Sequence, residues 1–110
     1  MPHPAVQHAE VFDALGSDVR RELLDRLVQQ PRTVGELARG LPISRPAVSR
    51  HLKVLQDAGL IAYEAQGNRN LYRVRSDGFG VAQDWLGRFW GDALNRFRLV
   101  AENTAPRHDD

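Results

Sequence analysis

Cysteine is absent from the 110 residues. That excludes disulfides and thiolate chemistry. No apolar run approaches the roughly 20 residues needed to span a bilayer, so no membrane partner is expected. The opening MPHPAVQHAE lacks the basic segment and apolar segment that make a secretory signal. Together these absences predict a cytoplasmic protein. Net charge is nearly absent too, at +1, and by itself favours no class of partner. Catalytic motifs are missing: there is no glycine-rich phosphate loop and no nucleophile elbow. Ser49 and His51 stand two residues apart, and on a helix such side chains diverge. The acid pair Asp109 and Asp110 lies in a polar terminus. Catalysis is therefore not expected, and no cofactor is implied.

What is present is enough apolar residue for a core, 42%, in a length that suits one small domain. The charge, small in total, is unevenly placed. Residues 41–75 hold six basic side chains (Arg45, Arg50, Lys53, Arg69, Arg73 and Arg75) against Asp57 and Glu64, giving +4. Residues 1–40 carry −1 and residues 76–110 carry −2. One block is basic and its flanks are not.

Inside that block, SRPAVSRHLKVLQDAGL over residues 44–60 reads as an amphipathic helix. At 100° per residue Val48, Leu52, Leu55 and Gly59 share a narrow face, while Arg45, Pro46, Ser49, Arg50, Lys53 and Asp57 lie elsewhere. Ser44 is a fitting N-cap, Pro46 suits the first turn, and Gly59 is a natural stop. A helix whose N-terminal half shows Arg, Ser, Arg and Lys is built to lie in a DNA major groove. A solvated surface helix would show the same pattern, so its neighbours decide.

Before it, helices are expected over about 6–15 and from Ser17-Asp18 to about Gln30. The second has a stripe of Leu23, Leu24, Leu27 and Val28, with Arg20, Arg21, Asp25 and Arg26 outside. Thr33-Val34-Gly35-Glu36 matches a capping box and starts a short helix to about Arg39. Short helix, tight connection, longer basic helix is the helix-turn-helix arrangement. After Gly59, Leu60–Glu64 and Leu71–Arg75 read as a hairpin around Gln66–Asn70. Arg69 falls near its tip, where it suits phosphates or a narrow minor groove; a solvated tip is the plainer reading.

Ser76-Asp77-Gly78 reads as a break between the hairpin and a last helix expected over about 79–102. Ala82, Leu86, Phe89, Ala93, Phe97 and Val100 form one stripe, widened by Trp85, Trp90 and Leu94. That arc exceeds what one side of a small core needs. A subunit interface shared with the first helix is expected, because large aromatics dominate such contacts; an intramolecular packing face is the alternative. Residues 1–5 and 103–110 are expected to be loose ends around a domain of 6–102.

VGELARGLPISRPAVSRHLKVLQDAGLI, the following GNRNLYRV and the earlier LGSDVRRELLDRL together resemble the ArsR-type winged-helix transcriptional regulators. The resemblance covers about residues 11–100. It implies a mainly α fold with a two-stranded β-wing, a winged helix-turn-helix dimerised through its terminal helices. The implied function is that of a homodimeric repressor on an inverted-repeat, double-stranded operator. The recognition helix maps to about 44–58, the wing to 61–75 and the dimerisation helix to 79–102. The implied DNA contacts are Arg45, Pro46, Ser49, Arg50, His51 and Lys53, with Arg69 and Arg73 on the wing. His51 lies at the flank of the buried stripe, so a structural role stands beside contact with DNA. The implied interface residues are Phe12, Trp85, Leu86, Phe89, Trp90, Ala93 and Phe97.

Many such regulators sense metals through a Cys-x-Cys pair before the recognition helix. The matching stretch here, Val34 to Ala38, has no sulfur ligand. Another family site uses Asp and His on the last helix, which here offers Asp84 and Asp92 but no His before His108. His3, His8, His51 and His108 are scattered, so no metal site is expected. A non-cysteine site completed by His3 or His8 against the other subunit is the alternative. A winged helix that only binds proteins is a second alternative, and the +4 block argues against it. No inducer can be read from these residues.

Overall fold

A computed structural model describes residues 7–104. Helix α1 spans His8–Leu15, α2 Asp18–Gln29, α3 Val34–Arg39 and α4 Arg45–Asp57. Strands β1 (Ile61–Gln66) and β2 (Arg69–Val74) follow, then a long α5 over Ser76–Thr104.

Each of α2, α3 and α4 starts where a hydroxyl can take an orphan amide. Ser17 Oγ accepts from Arg20 N at 3.2 Å and Ser44 Oγ from Ala47 N at 3.2 Å. Thr33 and Glu36 close the reciprocal capping box at 3.2 and 3.0 Å. Those bonds from Thr33 hold the Glu36 carboxyl below its ordinary pKa. A cap of this kind contributes about 1 kcal/mol.

Helix α4 ends in a Schellman pair. Leu60 N donates to Leu55 O and Gly59 N to Gln56 O, both at 3.0 Å, with Gly59 at φ +74°. Glycine takes that left-handed conformation without a Cβ penalty. The chain then turns into β1 with Leu60 and Ile61 fully buried.

The core joins Val11 and Ala14 of α1, Leu23, Leu24 and Leu27 of α2, Leu37 of α3, and Val48, Leu52 and Leu55 of α4. Val28, expected in this stripe, is instead 69% exposed. The three leucines define a narrow arc, and Val28 falls roughly 90° from its centre at 100° per residue.

The hairpin is tighter than expected. Gln66 pairs directly with Arg69, so the turn is only Gly67-Asn68, with Gly67 at φ +63°. Glycine first in a two-residue loop matches the twist of the strands. Tyr72 and Val74 pack inward while Arg73 and Arg75 are exposed. Arg32 adds a one-residue bridge, exchanging backbone bonds with Tyr72 at 3.0 and 2.8 Å.

Ser76-Asp77-Gly78, expected as a break, is the first turn of α5. Gly78 lies against the end of α4: its N donates to Gly59 O at 2.8 Å, and a Cβ there would fall 2.6 Å from Ala58 O. Asn103 and Thr104 continue the helix. Residues 1–6 and 105–110, which include Val6 of the expected first helix and most of the expected loose ends, lie outside the described residues.

Candidate nucleic-acid interface

Two short elements set the angle of α4. Leu37 of α3 is fully buried in the same core as Val48 and Leu52, so α3 braces α4 through apolar contact. Arg26 of α2 donates to Gly40 O at 2.8 Å and pairs with Glu22 at 3.1 Å, which holds the connecting turn. With Val48, Leu52 and Leu55 all at 0% exposure, the opposite side of α4 must face solvent. Arg45, Pro46, Ser49, Arg50 and Lys53 are all exposed there.

The cations divide by partner. Lys53 Nζ donates to Asp57 Oδ1 at 2.9 Å, and that bond raises the Lys53 pKa. Arg73 pairs with Glu64 across the wing at 2.6 Å. The two acids of the basic block are thus both engaged. Arg75 pairs with Asp77 at 2.6 Å, a bond that holds the Asp77 carboxyl below its ordinary pKa. Arg45, Arg50 and Arg69 have no carboxylate partner among the described residues. The Arg45 guanidinium lies over Gly35 of α3, 3.7 Å from where a Cβ would stand. Three uncompensated arginines, two in the N-terminal half of α4 and one beside the hairpin turn, thus add positive charge to this surface.

His51 differs from its neighbours. It is half-buried, and its Nδ1 lies 3.3 Å from Arg20 Nη1. Burial lowers its pKa first, and the charges of Arg20 and Arg50 lower it further. Arg20, expected on the outer face of α2, is itself half-buried. Its reach is not visible in the sequence, where it is one of two adjacent arginines.

The second feature is apolar. Of the α5 stripe only Ala82 is buried. Trp85 is half-buried, stacked on Phe89 at 5.3 Å and meeting the Phe12 edge at 5.3 Å. Leu86, Phe89, Trp90, Leu94 and Phe97 are exposed, Trp90 to 60% and Phe97 to 72%, while Ala93 is half-buried. Phe12, Leu15, Phe79, Leu86 and Trp90 line an apolar groove of about 580 Å³ between α1 and α5. Such a face leaves a large aromatic surface in water unless something covers it.

Among the described residues no three His, Asp or Glu side chains converge as metal ligands. His8 stacks on Trp85 at 5.7 Å. His3 and His108 lie outside the described residues. No described helix is long and apolar enough to cross a membrane.

A family model described as a helix-turn-helix domain matches residues 15–64, the span from the end of α1 into β1. The HTH-type transcriptional regulator Rv2034 of Mycobacterium tuberculosis is 44% identical over 92 residues, which cover 84% of this chain and 86% of that protein. A crystal structure of an ArsR family transcriptional regulator superposes with a TM-score of 0.72 at 30% identity, over 83% of this chain and 94% of the other. The chain belongs to the ArsR family of transcriptional regulators. Another solved relative is a homodimeric winged helix-turn-helix DNA-binding domain from Mycobacterium bovis, described as a possible ArsR-family regulator. Its TM-score is 0.60 at 27% identity, over 91% of this chain and 86% of that one. The expected winged-helix architecture of the ArsR family is therefore present, with α3 and α4 as the helix-turn-helix and β1–β2 as the wing.

Proposed function

We propose that this ArsR-family chain is a homodimeric repressor that reads operator DNA with α4. The observation that carries the reading is the exposure of Arg45, Pro46, Ser49 and Arg50 at the N-terminal end of a helix anchored by a wholly buried stripe. Arg45 and Arg50 are free to bind guanine O6 and N7 bidentately. Ser49 and Pro46 shape the approach. Lys53 and Arg73 each carry an acid partner, which weakens their attraction for phosphate. Arg69, without one, supplies backbone affinity from the wing.

The aromatic face of α5, with Phe12 of α1, is the dimer surface. Phe12, Trp85, Leu86, Phe89, Trp90, Ala93 and Phe97 meet their counterparts across a two-fold axis, and two copies of α4 reach successive half-sites. The protein works in the cytoplasm without catalysing a reaction and without a resident cofactor or metal.

The test is binding to a duplex from the protein's own upstream region over a salt series, with and without chelator. Tight, salt-sensitive binding that exceeds binding to random DNA and ignores the chelator is expected. No binding to either duplex at low salt overturns the reading in favour of a protein-interaction module. A chelator effect restores a metal-responsive repressor.

A further inference from the structure

The geometry points to Arg20 as a positioning residue for α4. One guanidinium joins the C-terminal carbonyls of α1 to the His51 imidazole, and that link sets how α4 is presented to base edges. The inference rests on the DNA-binding reading above.

Arg20 makes three contacts with two other helices. Its Nε donates to Ala14 O at 2.7 Å and its Nη2 to Asp13 O at 3.1 Å. These carbonyls belong to the last turn of α1, where Asp13 O also accepts from Gly16 N at 3.1 Å, and that end of the helix carries partial negative charge. Its Nη1 faces His51 Nδ1 at 3.3 Å. A guanidinium has donors only, so Nδ1 must present its lone pair and the neutral ring carries its proton on Nε2. The charged side chains acting on the ring are Arg20 from α2 and Arg50 from α4 itself. Both oppose its protonation, while α1 contributes only the carbonyls that Arg20 already holds.

Among the described residues this is the side-chain hydrogen bond that joins α4 to another helix. The remaining anchorage of α4 is apolar, through Val48, Leu52 and Leu55. Apolar packing is non-directional and tolerates small rotations. A directional bond at His51, one residue from Arg50, limits rotation where it would misplace the reading side chains. Lysine cannot substitute, because its single ammonium lacks the planar fork that spans three acceptors. The same α1 carries Phe12 against Trp85, so Arg20 also connects the proposed dimer face to the reading helix.

The test compares Arg20→Lys, His51→Ala, His51→Asn and the Arg20→Lys/His51→Ala double variant in the full chain. Ring ¹⁵N NMR reports the His51 tautomer. Affinities for operator and random duplexes report presentation, and thermal melting reports the fold. In the wild type we expect an Nε2–H ring titrating below free histidine, and in Arg20→Lys a titration moved up toward it. Arg20→Lys and His51→Ala should each lower the operator-to-random affinity ratio about tenfold, with no further loss in the double variant. His51→Asn, whose Oδ1 can stand in for Nδ1, should keep most of the ratio. Should Arg20→Lys fail to fold, the Ala and Asn variants at position 51 still carry the comparison.

Additive losses overturn the proposal, as do equal losses on both duplexes. So does an intact ratio in Arg20→Lys beside a loss in His51→Ala, which makes His51 a direct contact. A wild type with no operator preference, despite the Nε2–H ring, overturns the DNA-binding reading and the positioning role with it. An intact wild-type preference that Arg20→Lys leaves unchanged removes the positioning role alone.

Discussion

Helices α4 and α5 are both amphipathic, yet they leave opposite chemistries uncovered. Helix α4 buries its whole apolar stripe within its own chain and shows arginines to solvent. Among its described residues helix α5 buries only Gly78 and Ala82 and shows tryptophan, leucine and phenylalanine. The first is complete as a folded element and incomplete only toward an anion. The second is incomplete as a folded element until another apolar surface arrives. Amphipathicity alone therefore does not tell a core-facing stripe from a partner-facing one. Width and aromatic content separate them: three aliphatic residues suffice for α4, whereas the α5 arc outruns the surface that α1 offers it.

The sharpest way to break the contrast is to put a charge on the α5 face. Trp90 is already 60% exposed, so Trp90→Glu should leave the folded monomer intact. In a dimer it would bury an unpaired carboxylate. The expected result is a monomer at micromolar concentration by light scattering, with the helical circular dichroism retained. Operator affinity should fall by about 100-fold or more, since two half-sites are no longer bound together. A wild type that is itself monomeric would end the dimer reading.

On the α4 side, Arg50→Ala removes an exposed side chain that has no acid partner and no side-chain hydrogen bond among the described residues. It should cost about 1–3 kcal/mol of operator binding and far less on random DNA, as loss of a bidentate base contact does. Equal losses on the two duplexes would make Arg50 a phosphate contact.

The two helices meet at Gly59 and Gly78, and Gly78→Ala tests that joint. The added methyl would press on the Ala58 carbonyl, which is backbone and cannot swing aside. A destabilisation of about 1–3 kcal/mol in urea unfolding is expected, as for an overpacked core. An unchanged midpoint would show that α5 can move off the end of α4 without loss.

Much of this was legible in the sequence, for identifiable reasons. The caps at Ser17, Thr33 and Ser44 and the stop at Gly59 are local chemistry, and each acts within four residues. The α4 stripe repeats with a clear helical period. Val28 was misread because a stripe's edge depends on how much neighbouring surface exists to cover it. Gly78 looked like a breaker because its role is close approach to residues twenty positions earlier. Arg20 gave no signal at all, since its three acceptors come from α1 and α4 and only folding assembles them. The breadth and aromatic content of the α5 face are visible in its composition, but what covers that face is not a property of one helix's pattern.

The smallest expected effect concerns His51, where the polar side of α4 meets its buried side. Its folded-state pKa lies below the ordinary 6.5, chiefly because the ring is partly desolvated and then because Arg20 and Arg50 repel a further cation. The unfolded chain therefore binds the proton more readily, so stability rises with pH across the interval between the two values. The contribution is complete above about pH 6.5 and is lost as pH falls through the interval toward the folded-state value. His51→Asn does not titrate there. Urea unfolding at pH 7.5 and pH 5.5 should show the wild type losing more stability than the variant, a difference in which other titrating groups cancel. A variant that loses as much as the wild type would mean that the ring is solvated in both states and that Arg20 holds nothing at Nδ1.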